Sequence, residues 1–305
     1  MAACVRFPLV RRRRVVRGAR HHVSLLDSYG NLISTLTPEA PADVALRRAQ
    51  YRAQDTGHDV ALARELLCRK LERQRETIRA HPELPNRERA HEALDMALSW
   101  LSLPDATPYL STLDGIRTFE GRTARAYFAA WVGLAVTFAR ADRRRIPPYW
   151  QTVRERTSPL AGNRNARHAV DPANAILNYA YGCLESQARQ ALTASGFDLS
   201  CGFLHSDKAG RDSLVYDLME CERGAVDSLV LDFIGKTTFR AGDFTPVTDG
   251  SVRLHPQLAR AVVASCRLPQ DRVDGHARWL RSALVGKSAQ DQSQDVAAVP
   301  CSAVL

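Results

Sequence analysis

The spacing of apolar residues predicts a mainly α-helical chain that starts with a single β-hairpin. Two short apolar runs, 23–26 and 32–36, flank turn residues at 29–31. From residue 44 onward, apolar residues recur at helical spacing. The predicted helices begin at 44 and then span 58–78, 87–103, 113–139, 171–195, 213–234, 255–266 and 274–284. Because the stretch after Arg125 is almost wholly apolar, we expect the second half of the helix 113–139 to be buried.

Positive charge is concentrated in two segments of a chain whose net charge is +9 at pH 7. Residues 1–26 hold seven Arg and no acid, and residues 140–167 hold eight Arg against two acids. Arginine supplies 38 of the 42 basic residues, and its planar fork suits phosphate, although an arginine bias alone is weak support for nucleic-acid binding. We predict an exposed basic connection over 140–168 that extends a DNA track, with a merely solvated loop as the alternative. The Arg-rich start also has the composition of a mitochondrial transit peptide, an alternative that we do not favour.

Composition and cysteine spacing exclude several classes of protein. Hydrophobic residues make up 45% of the chain and charged residues 25%, which are the values of a folded globular protein rather than a disordered one. The longest nearly uncharged apolar stretch, 126–139, is too short to cross a bilayer. The seven Cys form no CxxC pair, which argues against a zinc ribbon or a disulfide framework. We therefore expect a cytoplasmic protein that makes no membrane contact.

Two acids on the predicted helix 213–234 could hold a divalent cation. Asp217 and Glu220 are three residues apart and project from one helix face, where like charges repel unless a cation lies between them. Mg²⁺ and Mn²⁺ prefer oxygen ligands of this kind. The alternative is a solvated acidic face with Arg223 as its counter-ion, and the pattern of this helix alone favours that alternative.

His205 and Glu120 are two further candidates for a metal site. His205 follows a short apolar segment, eight residues before the helix 213–234, and an imidazole there could complete a mixed nitrogen and oxygen site. Its alternative is a histidine at a strand end that bonds to the backbone. Glu120 enters an increasingly apolar helix, where a glutamate needs a partner. Its alternative is an ion pair with Arg117 or Arg122.

Three sequence blocks resemble the signature blocks of a known family. The blocks are LDGIRTFEGRTARAYFAAW at 113–131, DPANAILNYAYGCLESQA at 171–188 and GFLHSDKAGRDSLVYDLMECERGAVD at 202–227. In order and spacing they resemble the CRISPR-associated adaptation integrases, the first-numbered family of Cas proteins. The segments 23–34 and 43–54 resemble that family's last β-hairpin and the entry to its helical domain, so the resemblance runs from about residue 20 to 285.

The resemblance implies an α-helical catalytic domain that binds one divalent metal ion, Mg²⁺ or Mn²⁺. Carried over block by block, the catalytic metal ligands are Glu120, His205 and Glu220, with Asp217 as an auxiliary acid. The implied reaction is a transesterification in which the 3′-hydroxyl of a short DNA fragment attacks a phosphodiester at the edge of a CRISPR repeat. Basic residues close to these ligands would bind the DNA backbone, namely Arg117, Arg122, Lys208, Arg211 and Arg223.

The resemblance also implies partners and a domain organisation. Members of the family form a homodimer through an N-terminal β-domain, act on double-stranded DNA and work with a small ferredoxin-like adaptation partner. Since only 22 residues precede the hairpin, we expect a truncated β-domain remnant at 1–40, a catalytic domain at 41–286 and a disordered tail at 287–305. The alternative function is an inactive DNA-binding or scaffold remnant that lacks the dimerising β-domain.

Overall fold

Eight α-helices and two short β-hairpins make up the part of the chain that the structure describes. The computed structural model describes residues 23–36, 42–103, 108–155, 169–248 and 250–286. The helices are α1 (Val44–Asp55), α2 (His58–Ala80), α3 (Arg87–Ser102), α4 (Leu113–Ala129), α5 (Pro172–Ala194), α6 (Ser213–Lys236), α7 (Pro256–Cys266) and α8 (Gln270–Val285). The strands are β1 (Val23–Leu26), β2 (Leu32–Leu36), β3 (Phe244–Pro246) and β4 (Val252–Leu254). The predicted mainly helical class is confirmed, and none of these eight helices is long and apolar enough to span a membrane.

Three predictions lie outside the described residues. They concern the Arg-rich start, the second half of the basic segment 140–168 and the tail from 287. The described first half of the basic segment is mostly exposed, as predicted, although Ile146 and Trp150 point into the core.

The predicted hairpin of β1 and β2 is confirmed, and it rests on helix α5 rather than on a larger sheet. The turn residue Gly30 has φ +87°, a conformation that favours glycine. A Cβ atom on Gly182 of α5 would come within 1.8 Å of the Gly30 carbonyl oxygen, so two glycines let the turn lie directly on the helix. The Tyr29 hydroxyl accepts a 2.6 Å hydrogen bond from Arg253 of β4. These contacts fix the hairpin without a partner sheet.

The second hairpin, β3 and β4, was not predicted. Each strand has three residues, which is too short for a period of two to stand out from its neighbours. The strands pair antiparallel, with Phe244 opposite Leu254. Phe244 packs against Phe239 at a ring-centroid distance of 5.4 Å, so the hairpin closes one side of the apolar core.

The prediction of a helix as far as residue 139 is wrong. Helix α4 ends at Ala129, and the chain turns through Gly133, which has φ +89°. It then runs extended, because the Val136 amide bonds to the Gln151 carbonyl and the Ala139 amide to the Phe239 carbonyl, each at 2.8 Å. The segment is apolar because it crosses the core, and apolar content alone cannot separate a buried helix from buried extended chain.

Helix α5 begins and ends where the sequence predicts. The Asp171 side chain accepts a 3.0 Å hydrogen bond from the Asn174 amide, and Pro172 occupies the first helical position, where a missing amide donor costs nothing. Gly196, with φ +84°, turns the chain away after the last residue. Helix α5 packs against α6, so its two defined ends help to fix the position of the helix that carries Asp217 and Glu220.

Helices α2 and α6 approach each other closely at Gly224. A Cβ atom on this residue would lie 2.5 Å from the backbone carbon of Arg73, and the Thr77 hydroxyl donates a 2.7 Å hydrogen bond to the Gly224 carbonyl. A glycine is needed here because any side chain would force the two backbones apart. The close approach places Lys70 of α2 beside Glu220 of α6.

Candidate active site

The two glutamates and the histidine predicted as metal ligands lie close together in the structure. Glu120 comes from α4, Glu220 from α6 and His205 from the irregular segment that leads into α6. The ammonium of Lys70 contacts Oε1 of Glu120 and lies 2.7 Å from Oε2 of Glu220, so both carboxylates face one point. Nε2 of His205 lies 3.9 Å from Oε1 of Glu220. The Glu120 and His205 side chains are 28% and 33% exposed, so the cluster opens to the surface on their side.

This arrangement excludes the structural alternatives that the sequence left open for the acidic pair and for Glu120. Asp217 and Glu220 do not form a solvated face, because their side chains are 0% and 4% exposed. Among the described contacts, Glu120 pairs with Lys70 and with neither Arg117 nor Arg122. The proposed counter-ion of the acidic pair is confirmed, since Nε of Arg223 lies 2.9 Å from Oε1 of Glu220.

Asp217 positions the segment that carries His205. Its Oδ2 atom accepts backbone hydrogen bonds from Phe203 at 2.5 Å and Leu204 at 3.0 Å. Its Oδ1 atom accepts from the His205 amide at 2.8 Å and from Nδ1 of the same residue at 2.7 Å. Because a carboxylate oxygen accepts, Nδ1 is the donor of this pair, and Nε2 is the ring nitrogen that faces Glu220. A carboxylate behind an imidazole is the usual support of a histidine metal ligand.

The segment 201–205 forms no strand, which excludes the alternative of a histidine at a strand end. Helix α1 holds this segment instead. Gln50 donates to the carbonyls of Asp198 and Cys201 at 2.9 and 3.1 Å, and Gln54 donates to the Gly202 carbonyl at 2.9 Å. A Cβ atom on Gly202 would lie 2.8 Å from Cβ of Ser213 and 3.1 Å from Oδ2 of Asp217, so glycine lets the loop fold over the carboxylate.

A buried network behind Glu220 was not predicted from the sequence. The Asp227 carboxylate accepts hydrogen bonds from Tyr127 at 2.9 Å and Tyr181 at 2.6 Å. The guanidinium of Arg223 lies 4.7 Å from the centre of the Tyr181 ring. Burial and the nearby Asp227 carboxylate raise the pKa of Tyr127 well above its usual value, so this hydroxyl stays a donor. The network holds Arg223 against Glu220.

The charges of the cluster are mutually stabilised. Burial alone would raise the pKa of Glu220, but Arg223, Lys70 and His205 lower it well below its usual range. Burial alone would also lower the pKa of Lys70, but Glu220 and Glu120 outweigh burial and raise it. Glu220 and Lys70 are therefore both ionised near neutral pH.

Lys70 is the residue of the cluster that sequence reasoning missed. A signal for it exists, because Lys70 falls in the apolar stripe of α2, three and four residues after Leu67 and Leu66 and just before Leu71. A lysine inside a buried stripe needs an acidic partner. The same stripe contains Gln74, which is also buried.

The five basic residues predicted to bind DNA fall into two groups. Arg122 and Lys208 are exposed, two residues after Glu120 and three residues after His205 in the sequence. The other three are engaged in building it: Nε of Arg117 donates to the Leu204 carbonyl at 2.6 Å, Arg211 donates to the Ser206 carbonyl, and Arg223 pairs with Glu220.

The donor set of the cluster fits a hard divalent cation. Two carboxylates and one imidazole nitrogen are ligands that Mg²⁺ and Mn²⁺ accept. The Oε2 atom of Glu220 is fully enclosed and makes no hydrogen bond within the described residues, although Lys70 lies beside it. As arranged, no three His, Cys, Asp or Glu side chains of the described residues already form a metal-binding group. Lys70 occupies the space between the carboxylates.

Comparison with known proteins identifies the family. The family described as CRISPR associated protein Cas1 matches residues 14–267, which is most of the chain. The chain belongs to the Cas1 family. A curated member from Rhodospirillum rubrum, "CRISPR-associated endonuclease Cas1 2", is 28% identical over 288 residues, which cover 90% of this chain and 76% of that protein.

Solved structures share the fold of this Cas1-family chain. "Casposase bound to integration product" has a TM-score of 0.63 at 22% identity and covers 90% of this chain and 79% of that one. A chain of a "Cas6-RT-Cas1--Cas2 complex" has a TM-score of 0.66 at 19% identity and covers 92% of this chain and 30% of that one. At these identities the similarity establishes the fold alone.

Proposed function

We propose that this protein is a divalent-metal-dependent DNA endonuclease and integrase of CRISPR adaptation, which inserts short foreign DNA fragments into a CRISPR array. The observation that carries the proposal is the convergence of Glu120, His205 and Glu220 at one partly open cluster in a Cas1-family chain. Glu120 lies 85 and 100 positions away from His205 and Glu220 in the sequence, and the packing of an apolar core does not require these polar side chains to meet.

Each residue of the cluster has a role in this proposal. Glu120, Nε2 of His205 and Glu220 would hold Mg²⁺ or Mn²⁺, which supplies Lewis-acid stabilisation of charge on the phosphate when bound. Asp217 keeps the proton on Nδ1 of His205 and thereby keeps Nε2 available as a ligand. Arg223 holds the Glu220 carboxylate in one orientation.

The substrate of the proposed reaction is double-stranded DNA. The 3′-hydroxyl of the incoming fragment forms a new phosphodiester as a repeat phosphodiester is broken, so the exchange needs no nucleotide cofactor. The exposed side chains of Lys208 and Arg122 would contact DNA phosphates, and the exposed Arg143, Arg144 and Arg145 would extend this basic surface.

The proposed partners follow from the family. We propose a homodimer that works with a small ferredoxin-like adaptation protein. The fold is similar to that of a chain from a complex named for both Cas1 and Cas2, which supports assembly with a second adaptation protein.

The test is strand transfer of a labelled short DNA duplex into a supercoiled plasmid that carries a CRISPR repeat, with Mn²⁺ present. The parent protein is compared with Glu120→Ala, His205→Ala and the control Glu76→Gln, an exposed acid of α2 outside the cluster. Parallel reactions contain the small adaptation partner. We expect label to join the plasmid with the parent and the control and with neither of the other two variants. No transfer by folded parent protein, with or without the partner, would favour an inactive DNA-binding or scaffold protein instead.

A further inference from the structure

Lys70 is an unusual residue for its position. The chain has 38 Arg and only four Lys, yet the basic residue enclosed between two carboxylates is a lysine. Its side chain is 5% exposed, and it contacts Glu120 on α4 and lies 2.7 Å from Glu220 on α6. Lys70 belongs to neither of those helices, so it reaches the cluster from a third element, α2.

The chemistry of lysine suits a cation that can leave. An ammonium is a compact point charge on a flexible four-carbon stem, whereas a guanidinium is a wide planar fork with fixed geometry. A compact charge can sit between two carboxylate oxygens in the manner of a metal ion. It can also withdraw by rotation about the bonds of the stem, while the backbone stays where Gly224 fixes it.

We propose that the ammonium of Lys70 is the resident cation of the metal-free cluster, and that a divalent ion binds by displacing it from between Glu120 and Glu220. This inference rests on the proposed function, because it concerns the same metal site. A Mg²⁺ ion lies about 2.0–2.1 Å from its ligand oxygens, so an ion held by these two carboxylates would need the space that Nζ fills. Two cations cannot share that space.

The exchange explains how two acids, one of them buried, stay close together in the absence of metal. Without a cation between them, the Glu120 and Glu220 carboxylates would face each other at a partly open cluster, and their repulsion would favour separation of α4 from α6. Lys70 supplies the positive charge that keeps the metal-free protein folded. Because the metal must displace this ammonium, Lys70 also weakens metal binding. The position of the Lys70 ammonium between the two carboxylates matters for metal binding, and not only its positive sign.

The test is the affinity for Mn²⁺ alone, measured by titration calorimetry on the full chain. Lys70→Met removes the ammonium and keeps the length of the side chain. The matched control is Arg272→Met, which removes a basic partner of Glu222, two residues along the same helix, and leaves the space between Glu120 and Glu220 unchanged. We expect Lys70→Met to bind Mn²⁺ at least about tenfold more tightly than the parent, and Arg272→Met to differ from the parent by about threefold or less.

A second readout is the melting temperature with and without Mn²⁺. Without metal, Lys70→Met should melt below the parent, and saturating Mn²⁺ should raise its melting temperature more than that of the parent. If Lys70→Met does not fold, Lys70→Gln, which retains a donor, is measured in its place.

Different outcomes would overturn the displacement of Lys70 and the proposed metal site itself. Equal gains in affinity for Lys70→Met and Arg272→Met would overturn the displacement, as would no gain in either, while the metal site itself would stand. If Glu120→Gln binds Mn²⁺ as tightly as the parent does, the proposed metal site is overturned, and the displacement with it.

Discussion

Helix α6 carries two buried glutamates, Glu220 and Glu222, whose surroundings differ. Arg272 and His276 of α8 surround Glu222: Nε and Nη2 of Arg272 lie 2.9 and 2.8 Å from its two oxygens, and Nε2 of His276 lies 2.8 Å from Oε1. One carboxylate there meets two basic side chains. Around Glu220, a second carboxylate, Glu120, shares the ammonium of Lys70.

The difference separates a cluster that holds the fold from one that is equipped for chemistry. The described contacts of Glu222 include no second carboxylate, so this site offers a divalent cation only one acidic group. The Glu220 cluster has two carboxylates at one ammonium, Arg223 at 2.9 Å, a histidine nitrogen at 3.9 Å and partly exposed Glu120 and His205 side chains. Both contain a glutamate, a histidine and an arginine, so residue types alone do not distinguish them; the second carboxylate does.

The largest expected effect is on catalysis. Glu220→Gln should lower strand transfer by about 1000-fold, because a metal ligand supplies several kcal/mol of transition-state stabilisation. Glu222→Gln, two residues along the same helix, should leave transfer per folded molecule within about threefold of the parent. The assay is plasmid strand transfer at saturating Mn²⁺, normalised to folded protein by circular dichroism. Equal losses in both variants would mean that the two clusters work as one.

The next effect is on stability, and it falls on the other glutamate. Glu222→Ala should lower the free energy of unfolding by about 3 kcal/mol, because it leaves Arg272 and His276 without their shared acceptor at a nearly enclosed site. Urea unfolding at neutral pH measures the change. The control, Glu76→Ala, breaks an exposed pair with Arg73 and should cost less than about 0.5 kcal/mol. A loss of stability as small as that of the control would show that Glu222 does not stabilise the fold.

Helix boundaries could be predicted wherever a residue type has a local mechanism. Asp171 caps its own helix, Gly196 adopts a left-handed conformation, and Gly30 permits the hairpin turn. Residues 130–139 were mispredicted because burial there comes from long-range contacts with Gln151 and Phe239, which apolar content does not encode.

The site could be predicted in part, but from the resemblance to a family rather than from local sequence signals. The choice of Glu120, His205 and Glu220 came from the family blocks, since each residue alone had an ordinary structural explanation. Lys70 and the tyrosines that hold Asp227 were missed, because their partners lie 46 to 150 positions away in sequence and only the packing of α2, α4 and α5 on α6 brings them together. Helical spacing offers a signal for Lys70, because it puts this lysine in the apolar stripe of α2.

A third prediction uses the spacing between α2 and α6, on which only one of the clusters depends. Gly224→Ala should push the helices apart at Arg73 and cost about 2 to 3 kcal/mol of unfolding free energy. It should also separate Lys70 from Glu220, while Glu222 keeps its partners from α8. Urea unfolding measures the cost, and a cycle with Glu222→Ala checks that the two losses add. Strong non-additivity would show that the clusters are coupled through α6.

The smallest expected effect concerns Asp217, which supports His205 and is not proposed to touch the metal. Asp217→Asn should weaken Mn²⁺ binding by about 10-fold to 100-fold, because an amide presents a donor where His205 and three backbone amides need an acceptor. Calorimetric titration with Mn²⁺ measures the change, and Glu222→Gln is again the control. If Asp217 were itself a ligand, its loss should match the loss in Glu220→Gln. A smaller loss that Mn²⁺ at high concentration overcomes, with strand transfer restored, would assign Asp217 to positioning, because its four hydrogen bonds leave its oxygens little capacity for a cation.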